Sequence, residues 1–505
     1  MFKGFTAPTA KRRIPHALSL QTTGAGQGRR VCLVSDVSVD SEAAQRLAAQ
    51  LRADGWAVTL LDTAPPDQAD AGFQGGAYQR LAVLYRPTNW YIQMQSLLAY
   101  HWLRGQTFDL VLFHQGFGAG YYSLMARRLG LAFAQTPLVV FLSDTHALAL
   151  ERHVRFPSGR NDFEIDFMER KTAELADGVM AASAGLVKAL REAGWTLSVA
   201  LSAFENHAKT KTWGAWLSER IKLAQTAKAS PAKPVFLSVC VATHNRPAWL
   251  RECIASLEQQ TYAPFEVVVV DDGSTDPAVA MIQKDLAPLF KAKGWTWVRQ
   301  DNAGAAAARN RAAKLARGAY YLFMDDDDIA YPDELERFAL AAARGGSVIA
   351  CILGMHPESE NTFPPTAHLP ERQGSGTRPV GWTPIGGDLL LTSFINVAGY
   401  AHALYERKMF KKLGGFTSGK DVVFEDFEFL VRALAAGYSI DVVPEVLMLY
   451  RRTRQSRSMG PDIFRGHLNS LQPLAQLLPS HLRPLLLLAR QEWYHRHCQR
   501  RDGDL

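Results

Sequence analysis

Short runs of β-branched and aliphatic residues alternate with stretches of helical apolar spacing, and they do so twice along this 505-residue chain. No other feature limits the fold as much. Strands separated by helices pair in parallel, and uninterrupted apolar strands belong in a sheet covered on both faces. In the first block, strands are predicted at Val31–Val37, Ala57–Leu61, Leu110–His114, Leu138–Leu142 and Gly178–Ala182. Helices are predicted there at Ser41–Asp54, Tyr121–Leu129, Ile165–Ala176 and Ala184–Ala193. In the second block, strands are predicted at Phe236–Ala242, Phe265–Val270, Thr296–Arg299, Tyr320–Met324 and Ile440–Val443. Its helices are Trp249–Gln260, Ala278–Lys291, Ala305–Ala316 and Val423–Ala436, and Pro357–Gly387 reads as a surface loop near a site. The fold class is therefore α/β, with two Rossmann-like, doubly wound domains and a helical C-terminal segment. The expected boundaries are a disordered basic tail (1–29), a first domain (30–204), a linker with a short helix around Trp213–Ala224 (205–234), a second domain (235–455) and a basic helical segment (456–505).

Composition narrows the class. Hydrophobic residues make up 47% and charged residues 21% of the chain, which excludes fibrous and mostly disordered proteins. Five cysteines, Cys32, Cys240, Cys253, Cys351 and Cys498, form no CxxC pair, as in a chain from a reducing compartment. No transmembrane helix and no secretory signal are expected, because no apolar run approaches the required length. The net charge of +7 is uneven: residues 1–30 carry +6 and residues 451–505 carry +6, leaving −5 for the body between them. A mildly acidic body argues against nucleic-acid binding. The basic ends suit peripheral contact with an anionic membrane surface or glycolipid, or serve only to keep the chain soluble.

Acidic turns at strand ends carry the chemistry. Asp325-Asp326-Asp327-Asp328 follows an apolar strand directly, and four adjacent carboxylates repel one another unless a cation neutralises them. Hard oxygen donors suit Mg²⁺ or Mn²⁺ together with phosphate oxygens. The alternative is a solvated acidic turn leading to the helix near Pro332. Asp271-Asp272-Gly273-Ser274 ends another strand, where a carboxylate can accept from a base N–H or a ribose hydroxyl, or can simply cap the next helix. Thr243-His244-Asn245-Arg246 ends the first strand of that block and offers a flat ring and a cation for phosphate. Asn302 and Arg309 sit at the start of a helix, where Arg309 is either a pyrophosphate contact or a surface arginine. Glu425 and Asp426 open a further helix between aromatics. There a carboxylate can act as general base, or can merely complement the helix dipole.

Taken in this order, Ser238–Arg246, Val268–Asp276, Asn302–Asn310, Gly318–Asp328, Gly414–Phe416 and Glu425-Asp426 resemble the family 2 glycosyltransferases, which have the GT-A fold. The resemblance covers about 236–452. It implies metal-dependent, inverting transfer from a nucleotide-sugar, a UDP-sugar in the first instance, and a hexosyltransferase type of enzyme. It implies Asp327 for the metal, with Asp325; Asp325 or Asp326 near the ribose; Asp272 as the base-reading carboxylate; Arg309 near the pyrophosphate; and Asp426 as the catalytic base beside Glu425. Thr243, His244, Asn245, Arg246, Asp271 and Asn302 complete the expected donor site. Two departures stand out. His244 occupies a place where the family often has tyrosine, and Arg452-Thr453 follow Tyr450-Arg451 where many members have a histidine, which puts a third metal ligand in doubt.

The first block is similar to the N-terminal half of GT-B glycosyltransferases of the family 4 or starch-synthase type, through Phe108–His114, Gly120–Ser123, Asp166–Lys171 and Ala176–Gly178. In that fold this half mostly binds acceptor. No glycine-rich loop ends the first strand, so no second transferase site is expected, and His114 with Gly116–Gly120 is either ligand-facing or a plain strand-to-helix turn. The function expected overall is transfer of a sugar to a glycan or glycolipid acceptor in cell-surface polysaccharide biosynthesis, in the cytoplasm and peripherally at the inner face of the membrane. The alternatives are an inactive glycan-binding or scaffold protein and a bifunctional polymerase.

Overall fold

The computed structural model describes residues 28–63, 77–81, 91–114, 116–157, 159–197, 201–203, 213–226, 233–356, 367–370, 377–419, 422–451 and 463–491. The first sheet holds β1 (Arg30–Ser35), β2 (Ala57–Asp62), β3 (Ala77–Arg80), β4 (Leu110–His114), β5 (Leu138–Leu142), β6 (Gly178–Ala181) and β7 (Leu201–Ala203). Its order is β3-β2-β1-β4-β5-β6-β7, and every pairing is parallel. That is the doubly wound order in which helices cover both faces. The strands β4 and β5 are buried at every position, which is why they read as unbroken apolar runs.

The second sheet has ten strands: β8 (Leu237–Thr243), β9 (Phe265–Asp272), β10 (Thr296–Gln300), β11 (Tyr320–Asp325), β12 (Ile329–Ala330), β13 (Val348–Met355), β14 (Ala367–Pro370), β15 (Thr377–Trp382), β16 (Leu404–Glu406) and β17 (Ile440–Tyr450). The half built from β10, β9, β8 and β11 is parallel. Beyond it the short β16 runs antiparallel between β11 and β13, so the sheet is mixed rather than wholly parallel. Two expectations change here. The stretch Pro357–Gly387 is not all loop: β14 and β15 pair antiparallel and extend the sheet from β13. The last strand runs to Tyr450 rather than stopping at Val443.

The helix around Trp213–Ala224 spans Trp213–Thr226 and folds back on the first sheet, burying Leu217 and Ile221 against Val31 and Leu60. The basic tail and the last arginine-rich residues lie outside the described residues. The two sheets are joined through helices Tyr91–Leu103 and Tyr121–Arg128, whose Leu97, Tyr122 and Met125 share one buried core with Val442 and Val446. Polar bonds pin that seam. The Tyr122 hydroxyl donates to the Pro384 carbonyl at 2.8 Å, the Tyr100 hydroxyl donates to Glu445 at 2.9 Å, and Arg128 Nε donates to Asp441 at 3.0 Å.

Candidate active site

Parallel register places the acidic turns on one rim. Ala242 of β8 pairs with Asp325 of β11, and Thr243 pairs with Asp271 of β9, so three strand ends meet at the same edge. Crevices beyond the carboxyl ends of such strands are where open α/β sheets bind ligands. A cavity of about 530 Å³ opens there, a size usual for small-molecule and cofactor sites.

Eleven of the thirteen residues expected at the site line this cavity: Thr243, His244, Arg246, Asp272, Asn302, Arg309, Asp325, Asp326, Asp327, Glu425 and Asp426. The other two serve the scaffold. Asp271 accepts from Ser274 N at 2.9 Å and from Arg299 at 2.8 Å, which shapes the turn behind the rim. Asn245 adopts a left-handed backbone (φ 55°) and its Oδ1 accepts from Thr275 N and Asp276 N at 2.7 and 2.9 Å. Gly273 is required in the same turn: at φ +74° a Cβ would stand 2.7 Å from Asn302 N.

Asp272 reaches the cavity but is heavily engaged. It accepts from Gln300 Nε2 (2.7 Å), Ala303 N (2.9 Å) and Gly304 N (2.8 Å). His244 lies beside it, its Nδ1 2.9 Å from the Asp272 carbonyl oxygen. Asp326 accepts from Thr243 Oγ1 at 2.7 Å and from Arg246 at 3.1 Å, and Arg246 also donates to Asp327 at 2.8 Å. Arg309 is no surface arginine. Its side chain is 7% exposed, and its guanidinium spans Asp325 (2.5 Å) and Glu425 (2.8 Å). Burial opposes that charge, but the two carboxylates outweigh burial and hold it above the usual arginine value.

The helix Glu425–Ala435 begins two residues later than the periodicity suggests, because Phe424 takes a left-handed φ of 59°. That kink sets Glu425 and Asp426 on the first turn, facing the cavity. Asp426 Oδ2 accepts from Ala401 N at 3.0 Å and Oδ1 accepts from Phe427 N at 2.8 Å. Burial first, then Glu425, pushes its carboxyl up to about 6 against the pull of Arg309. Burial and Asp325 likewise push Asp327 up to about 7. The cause is plain in the lining: seven carboxylic acids, Asp272, Asp325–Asp328, Glu425 and Asp426, face two arginines.

Sequence reading does not single out Trp382, Tyr400 or His402, which also line the cavity. They come from segments without motif or periodicity, brought in by β15 and by the approach to β16. Arg451 lies behind the acidic turn, with Nε 3.4 Å from the Asp327 carbonyl oxygen and a further contact to Glu252.

Residues 238–414 match the family described as Glycosyl transferase family 2. The second domain belongs to that family. Residues 41–198 match the Glycosyl transferase 4-like domain, so the family 2 domain is joined to a second glycosyltransferase-type body on its N-terminal side. An uncharacterized glycosyltransferase of Haemophilus influenzae is 28% identical over 200 residues, which is 39% of this chain and 62% of that one. An uncharacterized glycosyltransferase of Rickettsia conorii is 38% identical over 114 residues, 23% of this chain and 18% of that one. The chain thus spans less than two thirds of the length of these relatives. A solved structure of S. aureus TarS 1-349 in complex with UDP-GlcNAc is 21% identical, covers 50% of this chain and 70% of that chain, and has a TM-score of 0.38. Among the described residues, no helix is long and apolar enough to cross a membrane.

Proposed function

We propose that this chain is a metal-dependent, inverting glycosyltransferase that moves a sugar from a nucleotide-sugar, first of all a UDP-sugar, to a hydroxyl of a glycan or glycolipid acceptor in cell-surface polysaccharide biosynthesis. One observation carries the reading: strand-end acids, the buried Arg309 and the helix-initial Asp426 line a single cavity in the family 2 domain.

In this reading Thr243, His244, Asp272 and Asn302 hold the nucleoside. Arg309 and Arg246 fix the acidic turn so that its carboxylates face the diphosphate. Asp426 takes the proton of the acceptor hydroxyl while that oxygen bonds to the anomeric carbon and the bond from that carbon to the diphosphate oxygen breaks. A single displacement of this kind inverts the anomeric centre. General-base help of this type is worth about 10²–10⁴ in rate.

The donor set fits a hard divalent cation, because the lining carries an excess of carboxylates over arginines. Asp327, with Asp325, would hold Mn²⁺ or Mg²⁺, which when bound would stabilise the departing diphosphate. Among the described residues no three His, Cys, Asp or Glu side chains form a cation site by themselves, so donor phosphate oxygens are needed to complete the shell.

The test is donor binding and turnover across UDP-, GDP- and dTDP-sugars, with Mn²⁺ or EDTA, on wild type and Asp327→Ala. Binding of one donor that needs the cation and fails in the variant is expected. Donor binding indifferent to both EDTA and Asp327→Ala would sink the metal assignment and favour the scaffold alternative.

At the strand ends of the first sheet, His114 lies 3.0 Å from both Ser35 Oγ and Ser143 Oγ. That closed arrangement favours a supporting role for this half over a second transferase centre. For membrane contact, the segment 484–491 exposes Leu485, Leu487 and Leu488 by 56%, 51% and 62%, just before the arginine-rich end. An exposed apolar stretch followed in sequence by a basic run suits an anionic interface. Sedimentation with phosphatidylglycerol vesicles is expected to carry the protein down, and replacing the three leucines by serine should weaken that by at least about tenfold. Equal sedimentation of variant and wild type would remove this contact from the picture.

A further inference from the structure

His402 belongs to none of the motifs at the strand ends, yet it lines the cavity while being only 2% exposed. One ring nitrogen is spoken for. His402 Nε2 lies 2.5 Å from Oε1 of Glu334, a fully buried carboxylate on the helix Glu334–Ala342. A carboxylate oxygen only accepts, so Nε2 is the donor in that bond, and in the neutral ring the lone pair then sits on Nδ1. Among the described residues His402 Nδ1 has no hydrogen-bond partner. It faces Asp328 Oδ2 at 3.8 Å, too far for a hydrogen bond.

Asp328 repeats the pattern. It is 3% exposed, lines the same cavity, and its Oδ1 is likewise buried without a partner among the described residues. Two side chains from separate segments, each with an unpartnered buried polar atom, thus approach each other beside Asp327. Groups of this kind are rare in native proteins and point to a ligand or ion. An imidazole that gives one N–H to a carboxylate and turns its other, unpartnered nitrogen toward an acidic turn is the arrangement of metal-binding histidines.

We propose that His402, oriented by Glu334, supplies a nitrogen ligand to the cation of the Asp325–Asp328 turn. The inference rests on the metal-dependent reading above and makes it more specific. Imidazole nitrogen favours Mn²⁺ over Mg²⁺, which prefers oxygen donors throughout. The site therefore selects Mn²⁺ when a nucleoside diphosphate completes the shell.

The test uses the full chain with Mn²⁺ and UDP or GDP. Electron spin-echo envelope modulation of the bound Mn²⁺ should show coupling to an imidazole nitrogen in wild type. That coupling should vanish in His402→Gln, and Mn²⁺ affinity should fall by about tenfold or more. Glu334→Gln should keep the nitrogen coupling while weakening Mn²⁺ by about tenfold, the usual size of an outer-shell effect. The wild-type spectrum decides the matter even where a variant folds poorly. A wild-type Mn²⁺–nucleotide complex without nitrogen coupling overturns the His402 assignment and leaves the metal reading standing. Failure of Mn²⁺ to bind at all overturns both.

Discussion

Asp426→Asn is expected to lower sugar transfer by about 10²–10⁴ while leaving donor binding within a few-fold of wild type. The asparagine keeps the volume and can still accept from Ala401 N, so the change removes basicity rather than shape. The wild-type pH profile should report the same group. Burial and Glu425 raise the Asp426 carboxyl to about 6. A base works only when deprotonated, so with the cation saturating kcat/KM should fall about tenfold per pH unit below about 6. Initial rates measured over a range of acceptor concentrations at fixed donor, with donor binding measured alongside, check both statements. If Asp426→Asn transferred sugar at the wild-type rate, the assignment of the base would be wrong.

The largest effect on stability is expected from Arg309→Met. The guanidinium is the cation that bridges Asp325 and Glu425, and it is buried. Removing one partner of a buried ion pair leaves uncompensated charge and typically costs about 3–5 kcal/mol. A value near 3 is expected, because Asp325 is 36% exposed and water screens part of the loss. Urea unfolding at neutral pH measures it. The sign with pH is definite: burial would raise the Asp325 carboxyl, but Arg309 outweighs burial and holds it below the usual carboxylate range, so the stability the pair contributes is present above about 4 and is lost as pH falls further. A variant as stable as wild type at pH 7 would mean that the bridge carries no net weight. Arg309→Lys should recover part of the stability but not the two-armed geometry, since a lysine head cannot span both acids as a planar fork does.

Much of the fold was legible in the sequence. Val267–Val270 and Leu322–Met324 are strands buried on both faces, and an unbroken apolar run has few other places to go. The misread parts have identifiable causes. Pro444 and Glu445 break the apolar pattern of β17, yet the strand continues. Its register with β13 slips there, from Cys351 opposite Val443 to Ile352 opposite Val446, and that irregularity absorbs the proline without a ladder hydrogen bond. The strands β14 and β15 were hidden by prolines and glycines, because an edge ribbon needs little apolar patterning to pair.

For the site, the sequence alone determined which chemistry each strand end carries. Acids placed directly after apolar strands arrive at one rim once the strands are parallel, and that needs only local structure and sheet register. Pairings between distant residues were decided by the tertiary structure. Arg309 meets Glu425 across 116 residues, and His402 meets Glu334 across 68. Asn245 and Asp271 sit within the right motifs, yet their side chains turn into the loop scaffold to satisfy backbone N–H groups. Residue spacing carries no record of such choices. They follow from which buried polar atoms find partners when the elements pack, and that balance exists only in the folded chain.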